Sequence, residues 1–145
     1  MEYPTAEDWV YLAGIVDGEG SIMIIRRSAS GRRVTPFHHL RLTIGNTSGA
    51  LANWMNRFGG RVQWRQQPQS VRPFWQWALD EDRAAKLIRR LGPHLVIKRA
   101  QAWLALEFQA QKSNLQSTYR AVPESELALR EGFYLAMREL NRKGS

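Results

Sequence analysis

The stretch Tyr11-Leu12-Ala13-Gly14-Ile15-Val16-Asp17-Gly18-Glu19-Gly20-Ser21 decides how this chain is read. It joins apolar and very small residues, helical in character, to two carboxylates, Asp17 and Glu19, spaced two apart in a glycine-rich break. Gly14 and Gly18 are four apart, so they share one helix face, and Ala13 widens that smooth strip. Glycine within a helix costs about 1 kcal/mol relative to alanine. Close approach of another backbone is a physical reason to accept that cost. If the approaching helix is its own copy in a second chain, a two-fold axis passes nearby. Leu12, Ala13, Gly14, Val16 and Asp17 are then expected at the dimer interface. Glu19 ends the helix beside its symmetry mate, and Gly18 and Gly20 leave room for backbone carbonyls to reach a ligand. Paired carboxylates near an axis repel unless a positive group lies between them. Hard cations such as Mg²⁺ take carboxylates, carbonyls, waters and phosphate oxygens. Such an ion can activate water and stabilise the leaving oxygen in phosphodiester hydrolysis. Taken as D-x-E alone, the segment also fits a helix end with solvated acids and glycine caps.

Outward from this stretch, the pattern is α+β. Thr5 or Asp8 caps the first helix, with acids in its first turn, and Gly18-Glu19-Gly20 breaks it. Ser21 to Arg27 reads as a strand, followed by a polar turn through Arg32 and Arg33. Residues 39 to 45 alternate polar and apolar, which puts Leu40, Leu42 and Ile44 inward and His39, Arg41 and Thr43 on the other face. Asn46-Thr47-Ser48 opens a helix over Ala50 to Phe58, ended by Gly59-Gly60. Arg61 to Gln67 is a third strand with Val62 and Trp64 inward. Phe74 to Leu79 is a fourth with Trp75, Trp77 and Leu79 inward. Asp80 to Leu91 is helical, capped near Asp80 or Asp82. Pro93 separates it from a helix over about Val96 to Gln111, and Pro123 opens a last helix to about Leu140. Helix and two strands occur twice, then helices, so the sheet is expected to be antiparallel and the whole of 1–145 one domain.

Composition narrows the function. The net charge is +8, and the lysine-plus-arginine total of 21 is mostly arginine, the side chain that makes forked contacts with phosphates and guanine edges. A polyanionic partner is the expectation, although a merely basic soluble protein has the same composition. With no cysteine, disulfides, thiolate zinc sites and a cysteine nucleophile are excluded. No apolar run spans a bilayer, and Met1-Glu2-Tyr3-Pro4 lacks the features of a signal peptide, so an intracellular, non-secreted protein is expected. No triad, P-loop or dinucleotide fingerprint points to a small-molecule substrate, and His38, His39 and His94 lack zinc spacing.

Leu12 to Gly20, LAGIVDGEG, closely resembles the motif that names the LAGLIDADG homing endonucleases. The likeness extends to Asn46-Thr47 opening a helix, to Trp75-x-Trp77 in a strand, and to Pro93-x-Leu95-x-x-Lys98-Arg99-x-Gln101-Ala102. It covers most of the chain, with residues 1–8 and 112–145 least distinctive. The resemblance implies an αββαββα fold with a four-stranded antiparallel sheet lying in the DNA major groove and motif helices at the dimer centre. It implies a site-specific, intron-encoded double-strand DNA endonuclease that uses Mg²⁺ or Mn²⁺, with Ca²⁺ binding without supporting cleavage. Its metal-binding acid corresponds to Glu19, aided by the carbonyl of Gly18. Asp17 corresponds to an acid that supports the helix end and interface. Lys98 matches a lysine near the scissile phosphate, although by itself it reads as a solvated helix residue. Where the family often has a long polar residue, this chain has Thr47-Ser48-Gly49, and Ser48 is expected to hold a water in its place.

One motif implies a homodimer and a roughly palindromic target; Phe133-Tyr134-Leu135-Ala136-Met137 echoes the motif without its glycine break or acid. If Glu19 faces DNA, alternation puts Ser21, Met23, Ile25 and Arg27 on the same face, joined by His39, Arg41, Thr43, Gln63, Arg65, Gln67 and Gln76. Arg and Gln can read guanine and adenine, and Met23 and Ile25 can touch thymine methyls. Arg32, Arg33 and Lys112 are expected on phosphates or sugar. Strict alternation turns Arg26 inward, so the strand is expected to end or bulge there. The alternative is a weakly active or inactive DNA- or RNA-binding protein of the same fold, an intron maturase or a regulator.

Overall fold

The computed structural model describes residues 2–31, 35–66, 72–113 and 122–142. Elements run α1 (Ala6–Glu19), β1 (Gly20–Arg27), β2 (Phe37–Asn46), α2 (Gly49–Met55), β3 (Arg61–Arg65), β4 (Phe74–Asp80), α3 (Glu81–Leu91), α4 (Arg99–Ser113) and α5 (Glu124–Arg142), with short 3₁₀ turns at Asn56–Phe58 and Gly92–His94. The expected αββαββα order and antiparallel sheet are both present, followed by two more helices. Arg32, Arg33 and Gln67 lie outside the described residues.

The motif helix begins as its sequence demands. Thr5 accepts from the Asp8 N–H at 3.1 Å and donates its own N–H to the Asp8 carboxylate at 2.9 Å. This reciprocal box satisfies two of the donors that a helix start leaves open. The other end differs from expectation. Gly18 and Glu19 stay helical, and the chain turns extended at Gly20, whose N–H still reaches the Val16 carbonyl. Helix therefore passes into strand with no loop between them.

Strand order is β1-β2-β4-β3, every pair antiparallel. The inner face carries Ile22, Ile24, Leu40, Leu42, Ile44, Trp77 and Leu79, all buried. Helices cover it with Leu12, Val16, Ile88, Leu91, Ala105 and Phe108, also buried. A two-residue period on the strands and a helical stripe on α1 and α3 meet in one apolar layer. Trp64 has the inward parity but is 49% exposed, because β3 is an edge strand; its ring meets Trp75 at 4.8 Å. Arg26 neither ends nor bulges the strand. It stays in register with His38 and turns to the helix side, where Glu131 of α5 pairs with it at 3.0 Å.

The α2–β3 turn needs glycine. Gly60 has φ +84, and a Cβ there would lie 2.6 Å from Trp77 Nε1 and 2.8 Å from the Ala78 carbonyl. The Gly59 carbonyl accepts from the same indole at 2.6 Å. The turn thus ties a core tryptophan to the hairpin entrance.

The interior stripe of α1 is expected to dominate its stability contribution. Leu12→Ala, at a fully buried site, should lower the unfolding free energy by about 2–5 kcal/mol. Glu7→Gln, on the exposed side of the same helix, should stay within about 0.5 kcal/mol. Urea unfolding of both variants checks this, and equal losses would refute the assigned faces.

Candidate active site and nucleic-acid face

Two carboxylates of the motif go to different places because residues two apart point to nearly opposite sides of a helix. Asp17 is tied to the approach of α4. Its Oδ2 accepts from the Val96 N–H at 2.8 Å, and its Oδ1 accepts from Ile97 and Lys98 N–H at 3.1 and 3.0 Å. These amides lead into a helix and have no partner inside it. The expected helical start at Val96 therefore moves to Arg99, with residues 96–98 bent around a carboxylate from a distant element. The loop completes itself through Lys98, whose ammonium donates to the Asp17 carbonyl at 2.9 Å. Lys98 is 8% exposed. It is no solvated helix residue but a buried cation held against the end of α1.

Glu19 points into the open. Asn46, the last residue of β2, donates from Nδ2 to Glu19 Oε2 at 2.6 Å. The amide is itself oriented, because its Oδ1 accepts the Ser48 N–H at 2.7 Å. No other hydrogen bond to the Glu19 carboxylate occurs among the described residues. Ser48 is the N-cap of α2, with its hydroxyl accepting from the Leu51 N–H at 3.4 Å. The side chain that touches Glu19 directly is that of Asn46. The sequence marks Asn46 as a helix opener, not as a partner of Glu19. Only the register Gly20↔Ile44, which sets the end of β2 against the end of α1, brings it there.

An exposed carboxylate with one oxygen oriented, next to the carbonyl of a helix-end glycine, offers the hard oxygen donors that Mg²⁺ takes. Among the described residues no group of three His, Cys, Asp or Glu gathers around a common point.

The faces of α1 also need correcting. Leu12, Ala13 and Val16, expected at an interface, are buried in this chain's own core. Gly14 and Gly18 are open, and a Cβ at either would meet nothing within 4 Å. Val10 lies one turn before Gly14 and is exposed, as are Val96 and Ile97 where Asp17 holds them.

The sheet's outer face carries Ser21, Met23, Ile25 and Arg27 on β1, His39, Arg41 and Thr43 on β2, Gln76 on β4, and Gln63 and Arg65 on β3. Cross-strand rows are Ser21–Thr43–Ala78–Arg61, Met23–Arg41–Asp80 and Gly45–Gln76–Gln63. The face is thus as alternation predicted, with two exceptions in accessibility. His39 and Thr43 are 6% and 7% exposed. His39 lies under the stacked Phe37 ring, 5.4 Å away, and Thr43 is a short side chain between two strands, so neither offers much surface to a ligand.

Polar contacts across the face are specific. Arg65 donates from Nε to Gln76 Oε1 at 2.8 Å. Arg41 donates to Asp80 at 2.6 and 3.3 Å, and Arg61 reaches the same carboxylate at 3.4 Å. Partial burial opposes ionisation of Asp80, but Arg41, then His39 and Arg61, outweigh it and hold the carboxyl below its ordinary value. Asp80 and Arg61 are outer-face residues that sequence reading did not place. Asp80 sits at the strand–helix junction, where its residue type suggested a cap.

Lys112 is corrected outright. Its ammonium donates to Glu81 at 2.7 and 2.9 Å and to the His38 carbonyl at 2.6 Å, and it lies over the Phe37 ring. At 11% side-chain exposure it is a structural cation, unavailable to a phosphate. Burial lowers its pKa, against the opposing Glu81 contact.

No family model matches the sequence, and no curated protein matches it. Solved structures do. The chain is similar to the homing endonuclease I-CvuI, solved with the I-CreI target in Mg²⁺ with the DNA not cleaved (TM-score 0.75, 19% identity, 92% of this chain and 82% of that chain). It is similar to the archaeal intron-encoded homing endonuclease I-Vdi141I complexed with DNA (TM-score 0.77, 14% identity, 96% and 87%). It is also similar to the LAGLIDADG homing endonuclease I-SmaMI bound to cleaved DNA (TM-score 0.64, 15% identity), where all of this chain matches 46% of that one. The architecture is that of the homing endonucleases. Within that class, the motif at the helix–strand junction and these likenesses give the chain the LAGLIDADG fold. Among the described residues no helix is long and apolar enough to cross a membrane.

Two predictions follow from the contacts. Asp17→Ala strips three amides of their acceptor and should cost about 1–2 kcal/mol by denaturant unfolding; an unchanged unfolding free energy would contradict the capping role. His39 is held below its ordinary pKa by burial and by Arg41. The folded state therefore binds this proton less readily than the unfolded chain. Its contribution is complete above the unfolded value of about 6.5 and is lost as pH falls below it. Melts at pH 7.5 and 5 should show that decline, flattened in His39→Gln; an identical slope in the variant would contradict it.

Proposed function

We propose that this chain is one half of a metal-dependent, site-specific DNA endonuclease, active as a homodimer. The observation that carries the proposal is the end of α1, where an open carboxylate (Glu19) is oriented by Asn46 and, two residues away, Asp17 holds the buried Lys98. A divalent cation there would supply water activation and stabilisation of the leaving oxygen. Glu19 and the Gly18 carbonyl would hold it. Asn46 orients the carboxylate, as outer hydrogen bonds commonly do at metal sites. Lys98 places positive charge beside the position of the phosphate. The arginines and glutamines of the outer face would lie in the major groove of a long, roughly palindromic duplex.

Dimerisation is supported by what α1 leaves uncovered. Val10, Gly14, Gly18, Val96 and Ile97 form an exposed apolar and small-residue strip beside Glu19. Glycines without neighbours allow a second helix backbone to come near. The match to just under half of I-SmaMI agrees with a single unit that has a counterpart.

Sites selected from random duplex DNA, placed in a supercoiled plasmid, test the reading. Mg²⁺ or Mn²⁺ should give linear product, EDTA none, and Ca²⁺ binding alone. Glu19→Gln should retain binding and lose cutting by about two orders of magnitude or more. Tight binding with no cleavage in either metal would refute the enzymatic reading and leave a binding protein. Affinity should fall steeply with salt, by about 0.9 in log K per log salt for each phosphate neutralised.

A further inference from the structure

We propose that Asp80 is a specificity-determining residue of the outer face, fixing Arg41 so that the guanidinium presents its Nη1–Nη2 end to a guanine. The inference rests on the DNA-binding reading and adds to it the base contacted and the residue that enforces the contact.

Asp80 grips Arg41 side-on, accepting from Nε on Oδ1 at 2.6 Å and from Nη2 on Oδ2 at 3.3 Å. That fork uses the Nε–Nη2 edge. The donors left over, both N–H of Nη1 and the second N–H of Nη2, lie along the Nη1–Nη2 end, and beyond the Asp80 fork that end makes no hydrogen bond among the described residues. An arginine end is a bidentate match for guanine O6 and N7. A guanidinium already held in place loses less conformational freedom on binding than a loose one. Arg61, from the strand on the other side of β4, touches the same carboxylate at 3.4 Å, so one aspartate braces arginines from both flanking strands and the trio keeps a net positive charge.

The fold forgoes stability to keep this arrangement. Asp80 is the N-cap residue of α3, yet its side chain makes no capping hydrogen bond. A cap aspartate ordinarily satisfies the first open amides. The next residue, Glu81, adopts φ +55, a left-handed conformation unfavourable for a non-glycine residue. Backbone of this kind persists where surrounding contacts over-determine it, and often at functional positions. Here Glu81 turns to the Leu40 N–H and Lys112, while Asp80 is left on the outer face with its arginines.

Site selection from random duplexes in Ca²⁺, with wild type, Arg41→Ala, Arg41→Lys and Asp80→Asn, tests the proposal. Wild type should require guanine at one position of each half-site. Arg41→Ala should abolish that preference. Asp80→Asn should weaken it at the same position by about tenfold, leaving other positions unchanged. Arg41→Lys keeps the charge but lacks the fork. It should lose the preference as Arg41→Ala does while keeping the salt dependence, which supplies the test should Asp80→Asn fail to fold. Preference unchanged in folded Asp80→Asn or in Arg41→Lys overturns the inference. So does a change in Asp80→Asn at a position insensitive to Arg41→Ala, the outcome if the carboxylate reads a base itself. Wild type that selects a site without these effects defeats this inference alone, whereas wild type that binds no duplex defeats the DNA-binding reading as well.

Discussion

A single carboxylate organises the centre of this molecule. Asp17 leaves the last turn of α1 and takes the amides of Val96, Ile97 and Lys98. It binds the motif helix to the start of α4 by hydrogen bonds rather than by packing alone. Hydrogen bonds to a charged acceptor are stronger and more directional than neutral ones, so the relative placement of the two elements is set. Lys98 returns the contact to the Asp17 carbonyl. On the proposed reading, this is what brings a cation within range of an acid on another element without making the two neutralise each other. Glu19, two residues further on, is aimed elsewhere and restrained by Asn46.

The sheet serves the same economy of placement. Because α1 runs into β1 without a loop, the outer-face residues Ser21, Met23 and Ile25 follow Glu19 at fixed spacing. The β2–β4 register then locates Arg41 and Gln76 relative to that origin. Buried aliphatic residues on the inner side hold the strands against the five helices and leave the outer side for polar contacts. In the proposed complex, reading a sequence and positioning a scissile phosphate share one rigid frame.

Much of this was legible in the chain. Two-residue alternation from Leu40 to Ile44 gave both faces of β2, and the glycine-rich motif marked the helix–strand junction. The capping pair Thr5 and Asp8 was visible because it is local. What escaped was long-range. Local pattern marked Asn46 and Asp80 only as helix-start residues and Lys112 only as a basic side chain, because their partners are brought in by strand register or helix docking. Lys112 resembled a surface cation because a lysine near a helix end usually is one. Leu12, Ala13 and Val16 were assigned to an interface from a smooth helix strip, but the chain needs those side chains for its own core. The glycines of that strip, Gly14 and Gly18, are the part left open, and Val10 one turn earlier is exposed as well.

The central claim is that each chain supplies one cutting centre and that two chains act on one duplex. Mixed dimers of differently tagged wild-type and Lys98→Met chains, isolated by both tags and given a supercoiled plasmid with the selected site, test it most directly. The account predicts nicked circles, with one strand cut by the centre that keeps its lysine and the other left whole. Linear product at the wild-type rate from the mixed dimer, or cutting by a chain that remains monomeric on its target, would contradict it.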